Sequence, residues 1–271
     1  MMVNERNKEL EFQILGVGAW GENFRNWHDL TSILLGQKIE VEPSKGPKPE
    51  IIPANERRRA PLSVRLAVET SWQACQDAQI DPENLASVFV SGLGDTQLTD
   101  YMCRVLASDN KALSPTKFHN SVHNAAAGYW TISTGCMQAA NSVAGFECSV
   151  PLTIFDALIQ SQAEQQPVLL SFYDAPCSDV LHKLMGNEHA FSASIIIAPV
   201  NQALSLPVYK ASMLTQHSEW PKFTGNKLLE TCYIKNPVAR ILPLLELLAL
   251  QEEKEIMMPL SSASTLQIKY N

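Results

Sequence analysis

The chain has 271 residues, 45% of them hydrophobic and 18% charged, and its 21 Lys and Arg against 28 Asp and Glu leave a net charge of −7. That supplies one large core or two small ones sharing an interface, and an acidic chain without a long basic stripe argues against nucleic acid as a partner. The longest apolar runs, 168–172 and 195–200, fall well short of the ~20 residues of a spanning helix, and the charged start at Asn4 to Glu9 is unlike a signal peptide, so a cytoplasmic protein is expected.

Residues 12–17 (Phe-Gln-Ile-Leu-Gly-Val) predict a buried strand that enters a turn at Gly16 and Gly18. Trp20 and Trp27 follow in a stretch containing Gly, Asn and Ser, and 38–60 is rich in Pro and charge without periodicity, an irregular excursion. Leu62, Leu66, Ser71 or Trp72, and Cys75 recur at helical spacing over 62–78, with Asp81-Pro82 as a stop. The run 85–91 is then a strand ended by Gly92-Leu93-Gly94, and the strand, helix, strand order favours a layered α/β architecture.

A second amphipathic helix spans 97–108, broken by Leu113-Ser114-Pro115-Thr116. The small residues at 125–128 begin a tightly packed helix that continues to Thr134, and 142–145 is a short extended piece. A helix over 149–162 sets Val150, Ile154, Ala157 and Leu158 on one face and tolerates Pro151 in its first turn. Strands at 168–173 and 190–199 flank a short helix-like connection at 177–188. A Leu-rich amphipathic helix over 237–255 and a strand over 265–270 close the chain, with no repeat of fixed short period.

Six cysteines (Cys75, Cys103, Cys136, Cys148, Cys177 and Cys232) form no C-x-x-C pair, so neither a zinc knuckle nor a disulfide framework is indicated and no metal or cofactor is expected. His119 and His123 stand at i, i+4, but Asn120 occupies the position where a zinc protease needs Glu. His28, His182, His189 and His217 complete no recognisable triad in sequence. Gly16-Val17-Gly18-Ala19-Trp20-Gly21 fits G-x-G-x-x-G, yet the residues after it open a helix poorly, which weakens a dinucleotide assignment.

The segment Phe146-Glu147-Cys148-Ser149 has the setting of a strand-to-helix turn, where helix N–H groups face a reacting carbonyl and lower a thiol's pKa. With Cys148 at the apex a thiolate nucleophile is available. With Glu147 there, covalent acyl transfer is excluded, because a carboxylate cannot hold an acyl thioester.

Several blocks resemble one known group. They are Ile14 to Trp20, Arg65-Leu66-Ala67 with Gln79-Ile80-Asp81-Pro82, Ser87 to Ser91, Leu113 to Phe118, and Ser121-Val122-His123-Asn124-Ala125-Ala126-Ala127-Gly128-Tyr129-Trp130, the last being the most specific. The chain resembles the short proteins similar to the N-terminal half of β-ketoacyl synthases that are encoded with aryl-polyene-type biosynthetic clusters. The resemblance covers most of 12–200 and continues more weakly to the end.

That resemblance implies one thiolase-like α/β domain over 1–271, about half of a synthase plus a short terminal helix and strand, with 201–271 divergent. Counting from the Gly128 to Gly135 segment, it puts Glu147 where a synthase has its cysteine, and the two histidine motifs of a synthase's second half do not occur after Val200. It implies a non-catalytic chain-length factor that pairs with a β-ketoacyl-ACP synthase and meets acyl carrier protein. Ser121, Val122, His123, Asn124, Tyr129 and Phe146 would lie at the subunit interface. Arg57, Arg58, Arg59 and Arg65 either contact the carrier or form a solvated face. The alternatives are a minimal acyltransferase or thioesterase using Cys148 with His123 or His189 as base, and an acyl-chain binding module.

Overall fold

A computed structural model describes residues 9–224 and 226–270; the charged start at Asn4 to Lys8 lies outside the described residues. In chain order the elements are β1 (Leu10–Gly21), α1 (Trp27–Leu34), the single turn α2 (Ala54–Arg57), α3 (Leu62–Ala78), β2 (Ala86–Val90), α4 (Thr96–Ala107), α5 (Pro115–His119), α6 (Ala125–Thr134) and β3 (Ala140–Val143). They continue with α7 (Ser149–Glu164), β4 (Val168–Asp174), α8 (Asp179–Met185), β5 (Phe191–Pro199), β6 (Tyr209–Leu214), α9 (Lys227–Lys235), α10 (Leu242–Leu250), β7 (Lys254–Pro259) and β8 (Thr265–Tyr270).

The strands make one sheet in the order β3-β2-β4-β5-β1-β6-β8-β7. β3, β2 and β4 run parallel, and every later neighbour pairs antiparallel. Helices cover both faces, as the almost fully buried pattern of β2, β4 and β5 requires. On one side α3 and α6 pack Val64, Leu66, Val68 and Trp130 against Phe89, Leu169, Tyr173 and Ile196. On the other, α7, α10 and the segment 237–241 bury Ile154, Leu158, Leu244 and Leu245 against Val88, Leu170, Phe172 and Ile195.

β1 does not turn at its glycines, and this corrects the sequence expectation. It continues to Gly21 along β5, with a bulge between Ile14 and Gly16. The glycines are required by α3: a Cβ on Gly16 would stand 2.3 Å from the Ala74 carbonyl oxygen, and one on Gly18 2.1 Å from that of Thr70. No helix opens on Gly21, since α1 starts only at Trp27 behind the Asn26 cap, so the dinucleotide turn does not form.

Beyond Phe12, β1 has no β6 partner, and α3 side chains take over its free edge. Asp77 accepts from the Val17 N–H at 2.9 Å and Gln73 from that of Ala19 at 3.1 Å. Beneath the same helix the Thr70 hydroxyl lies 2.8 Å from those of both Ser192 and Ser194, a polar seam satisfied from within.

The C-terminal part also departs from expectation. The helix foreseen over 237–255 divides into a 3-10 segment at Pro237–Ile241, α10, and then strand β7 after the left-handed Gln251. α10 is buried on nearly every side rather than amphipathic, which masks a helical period. α1, β6, α9 and β7 had no sequence signal strong enough to place them.

The close approach of α3 gives a sharp expectation. Gly18→Ala costs about 3 kcal/mol by overpacking, whereas Gly128→Ala in α6, where an added Cβ meets nothing within 4 Å, gains about 0.5 to 1 kcal/mol of helix propensity. Urea denaturation midpoints of the two variants test both signs.

Candidate functional site

β3 leads into the turn through Ala144 and Gly145. Phe146 adopts φ 51, a left-handed value that costs a bulky side chain energy, and marks the sharp point of the turn. Phe146–Cys148 is a 3-10 turn, and α7 begins at Ser149. Ser149 fixes this geometry: its buried hydroxyl donates to the Phe146 carbonyl at 2.7 Å and accepts from the Gly145 N–H at 2.8 Å.

Glu147 points its carboxylate toward Arg240, 3.6 Å away on the Pro237–Ile241 segment. The Arg240 guanidinium lies between two rings, 4.8 Å from the Trp220 centroid and 4.7 Å from that of Tyr233. Its side chain is 12% exposed and that of Glu147 49%, so the cation is held by the protein and the anion stands at the mouth. A planar guanidinium suits stacking between rings in a way an ammonium does not. Burial, with the Glu147 charge second, pushes the Cys148 thiol up. A thiolate nucleophile needs the opposite shift.

A second polar knot lies at the C-terminal ends of β2 and β4. Asp174 is fully buried and accepts from the Ser91 hydroxyl at 2.6 Å, the Leu93 N–H at 3.2 Å and the Gly92 N–H at 3.3 Å. Desolvation raises its pKa to about 7 against these hydrogen bonds, which lower it; the Val238 backbone also contributes. The carboxylate thereby ties the loop after β2 to the segment that carries Arg240.

The sequence candidates fall into distinct places. Ser121, Val122, His123, Asn124, Tyr129 and Phe146 are all half-buried or exposed, on the side of the β3 edge strand. His119 closes α5 and His123 lies in the following loop, so the two do not share a helix face, and among the described residues no cluster of three metal-binding side chains occurs. Arg57 donates to the Pro49 carbonyl and Arg65 to that of Pro47, which fastens the excursion, while Arg58 and Arg59 stay at the surface. His189 pairs with Glu22 at 2.9 Å, and no imidazole is hydrogen-bonded to Cys148 among the described residues.

Arg240, Trp220 and Tyr233 escaped the sequence reading because each is remote from Glu147 in the chain and lies in a segment of weak pattern. Asp174 was visible only as the end of an apolar strand.

The family model described as β-ketoacyl synthase, N-terminal domain, matches residues 33–234, and no curated protein matches the chain. Among solved structures the chain is similar to a ketosynthase (ApeO) in complex with its chain length factor (ApeC) from Xenorhabdus doucetiae, with TM-score 0.71 at 15% identity over 96% of this chain and 99% of that one. It is also similar to the ishigamide ketosynthase/chain length factor, with TM-score 0.68 at 12% identity over 96% and 98%. A third similar structure is AntDE:AntF, a type II PKS acyl-carrier protein in complex with its ketosynthase, with TM-score 0.71 at 10% identity over 97% and 99%. At these identities the likeness is one of fold, the thiolase-like fold. Among the described residues no helix is long and apolar enough to cross a membrane.

Two measurements probe the site. Arg240→Lys keeps the charge but loses the planar stack, so it destabilises by about 1 kcal/mol and shifts tryptophan emission through Trp220. Asp174 has a folded-state pKa of about 7, above the ordinary value near 4. The folded state therefore holds more protons than the unfolded one between those values, and this group's contribution falls as pH rises through that window. The stability advantage of the parent chain over Asp174→Asn, measured by urea denaturation, accordingly shrinks from pH 4 to pH 8.

Proposed function

The chain belongs to the β-ketoacyl synthase N-terminal-domain family, and from that premise we propose that it is a non-catalytic subunit of the chain-length-factor type. It pairs with a cysteine-bearing β-ketoacyl-ACP synthase in aryl polyene biosynthesis. The observation that carries this is the Glu147–Arg240 pair beside Cys148, whose thiol is pushed up by burial and then by the Glu147 charge. Condensation needs a thiolate to take the acyl group from the carrier's thioester, and neither group at this turn meets that need. Glu147 is instead a structural anion for the stacked Arg240.

The outer surface supports a partner. Phe118, Val122, Ile132, Met137 and Phe146 are all exposed along α5, α6 and the approach to the turn, and β3 offers an unpaired edge of short, small residues. Exposed apolar side chains in number beside an open edge favour an interaction site. A mainly apolar cavity of about 320 Å³ between Ile52, Val122, Tyr129 and Ile132 opens on this side, in keeping with a contribution to a tunnel wall. Ser121, Val122, His123, Asn124, Tyr129 and Phe146 are the contacts this reading assigns to the partner, with Arg58 and Arg59, whose own partners Asn55 and Glu56 lie within the same exposed turn, at the surface to meet an acidic carrier.

Co-expressed with a cysteine-bearing synthase from the same biosynthetic cluster, the chain should elute with it as a stoichiometric complex. Charging either residue of the pair Val122→Asp or Ile132→Asp should release it. The chain alone, treated with acyl-carrier thioester and then iodoacetamide, should show no acyl adduct at Cys148 by mass spectrometry. Glu147→Gln should leave condensation by the complex within about threefold, a change near RT in barrier terms. Acylation of Cys148 with turnover would favour the acyltransferase reading instead.

A further inference from the structure

The irregular excursion after α1 crosses α3 as a strap, and three arginines fasten it by its own carbonyls. Arg25 donates to that of Glu42 at 2.5 Å, Arg65 to that of Pro47 at 2.8 Å and Arg57 to that of Pro49 at 3.1 Å. Between strap and helix lies a groove of about 550 Å³, inside the range of about 300 to 1,000 Å³ usual for small-molecule sites. The strap lines it with Pro47, Lys48 and Glu50. From α3 come Glu69, Trp72 and Gln76, which stand at i, i+3 and i+7 and so share one face of the helix. None of these residues belongs to the margin assigned above to the partner.

Glu69 is the group in need of an explanation. It is half-buried, its carboxylate accepts from the Gln73 amide at 3.1 Å, and it forms no ion pair among the described residues. Burial pushes its carboxyl up from the usual range; the Gln73 hydrogen bond opposes that, and the nearby Glu50 charge adds to it. Neither cation on the walls relieves it. Arg25 is engaged with the carbonyls of Phe24 and Glu42 and with the Trp20 ring, 5.0 Å from its centroid, and Lys48, exposed on the strap, pairs with neither carboxylate.

The walls select among ligands. Two carboxylates without a cation repel an anion and gain nothing from a hydrocarbon. A half-buried indole beside them favours a cation over its face, the arrangement that Arg25 already makes with Trp20 in the same groove. We propose that the groove under the strap binds a small organic cation, a free primary alkylammonium whose head lies between Glu69 and Glu50 and whose stem runs along Trp72. The inference goes beyond the subunit reading and does not depend on it.

Ligand-observed NMR on the full chain at neutral pH, titrated separately with n-butylammonium, n-butanol and butyrate, tests the site without any partner. Butylammonium should saturate about tenfold more tightly than either of the others, the scale of one hydrogen bond to a charged group. Glu69→Gln can still accept from Gln73 but drops the charge, and should weaken butylammonium by about fivefold or more. Glu83→Gln makes the same change of charge on an exposed turn outside the groove and should leave binding unchanged. Equal affinity for the three probes, or an equal loss in the two variants, overturns the proposal. Should Glu69→Gln fail to fold, Glu50→Gln at the exposed strap gives a second test: weaker butylammonium binding supports the site, and indifference overturns it. The methylene protons of bound butylammonium should also move upfield in the ring current of Trp72. Loss of that shift in Trp72→Leu supports the placement, and its persistence puts the amine elsewhere and overturns it.

Discussion

Everything in this chain is arranged around the seat of α3 on β1. The helix backbone comes so near the strand that only hydrogen fits at Gly16 and Gly18. That closeness lets Asp77 and Gln73 reach the free edge of β1, and it brings Thr70 onto the hydroxyls of Ser192 and Ser194. Small side chains and satisfied polar groups thus replace the usual apolar layer under the middle of the helix. The direction of α3 then follows, with its first turn lying over the ends of β2 and β4, where a small cavity opens.

Two ionisable groups are held at that end of the sheet by different means. Asp174 is wholly dry, and its hydrogen bonds from Ser91, Gly92 and Leu93 oppose a larger desolvation effect. Arg240 is kept by ring faces rather than by burial of a full ion pair, with Glu147 on the solvent side. Since exposed pairs contribute little to stability, the two rings do more to place the cation than the carboxylate does. Both devices converge on the segment 237–241, which therefore links the β2 loop, the strand-to-helix turn and the C-terminal helices.

Under the proposed reading, the turn after β3 keeps the form of a reactive site without its chemistry. Strain at Phe146, the Ser149 hydroxyl bridge and the start of α7 are all in place. What differs is the company: a carboxylate bound to a stacked cation, and a thiol whose surroundings favour its proton. The same turn borders exposed apolar side chains and an open strand edge.

The apolar runs at 168–173 and 190–199 and the period of 62–78 specified β4, β5 and α3 directly, because strands buried on both faces and a helix with one buried face each write their geometry into local order. The block from Ser121 to Trp130 likewise indicated the family. Local order misled at Gly16-Val17-Gly18, where glycines that look like a turn are a landing place for a helix some fifty residues later. It was silent on α1, β6, α9 and β7, and it read α10 as half of a longer helix because burial on all sides erases the amphipathic period. The sequence by itself determined the layered α/β class, the family and the presence of Glu147 beside Cys148. Only the tertiary structure decided that Glu147 faces Arg240 between two rings and that Asp174 ties the loop after β2 to the segment 237–241, because those groups come from segments that meet only once the sheet has closed over its helices.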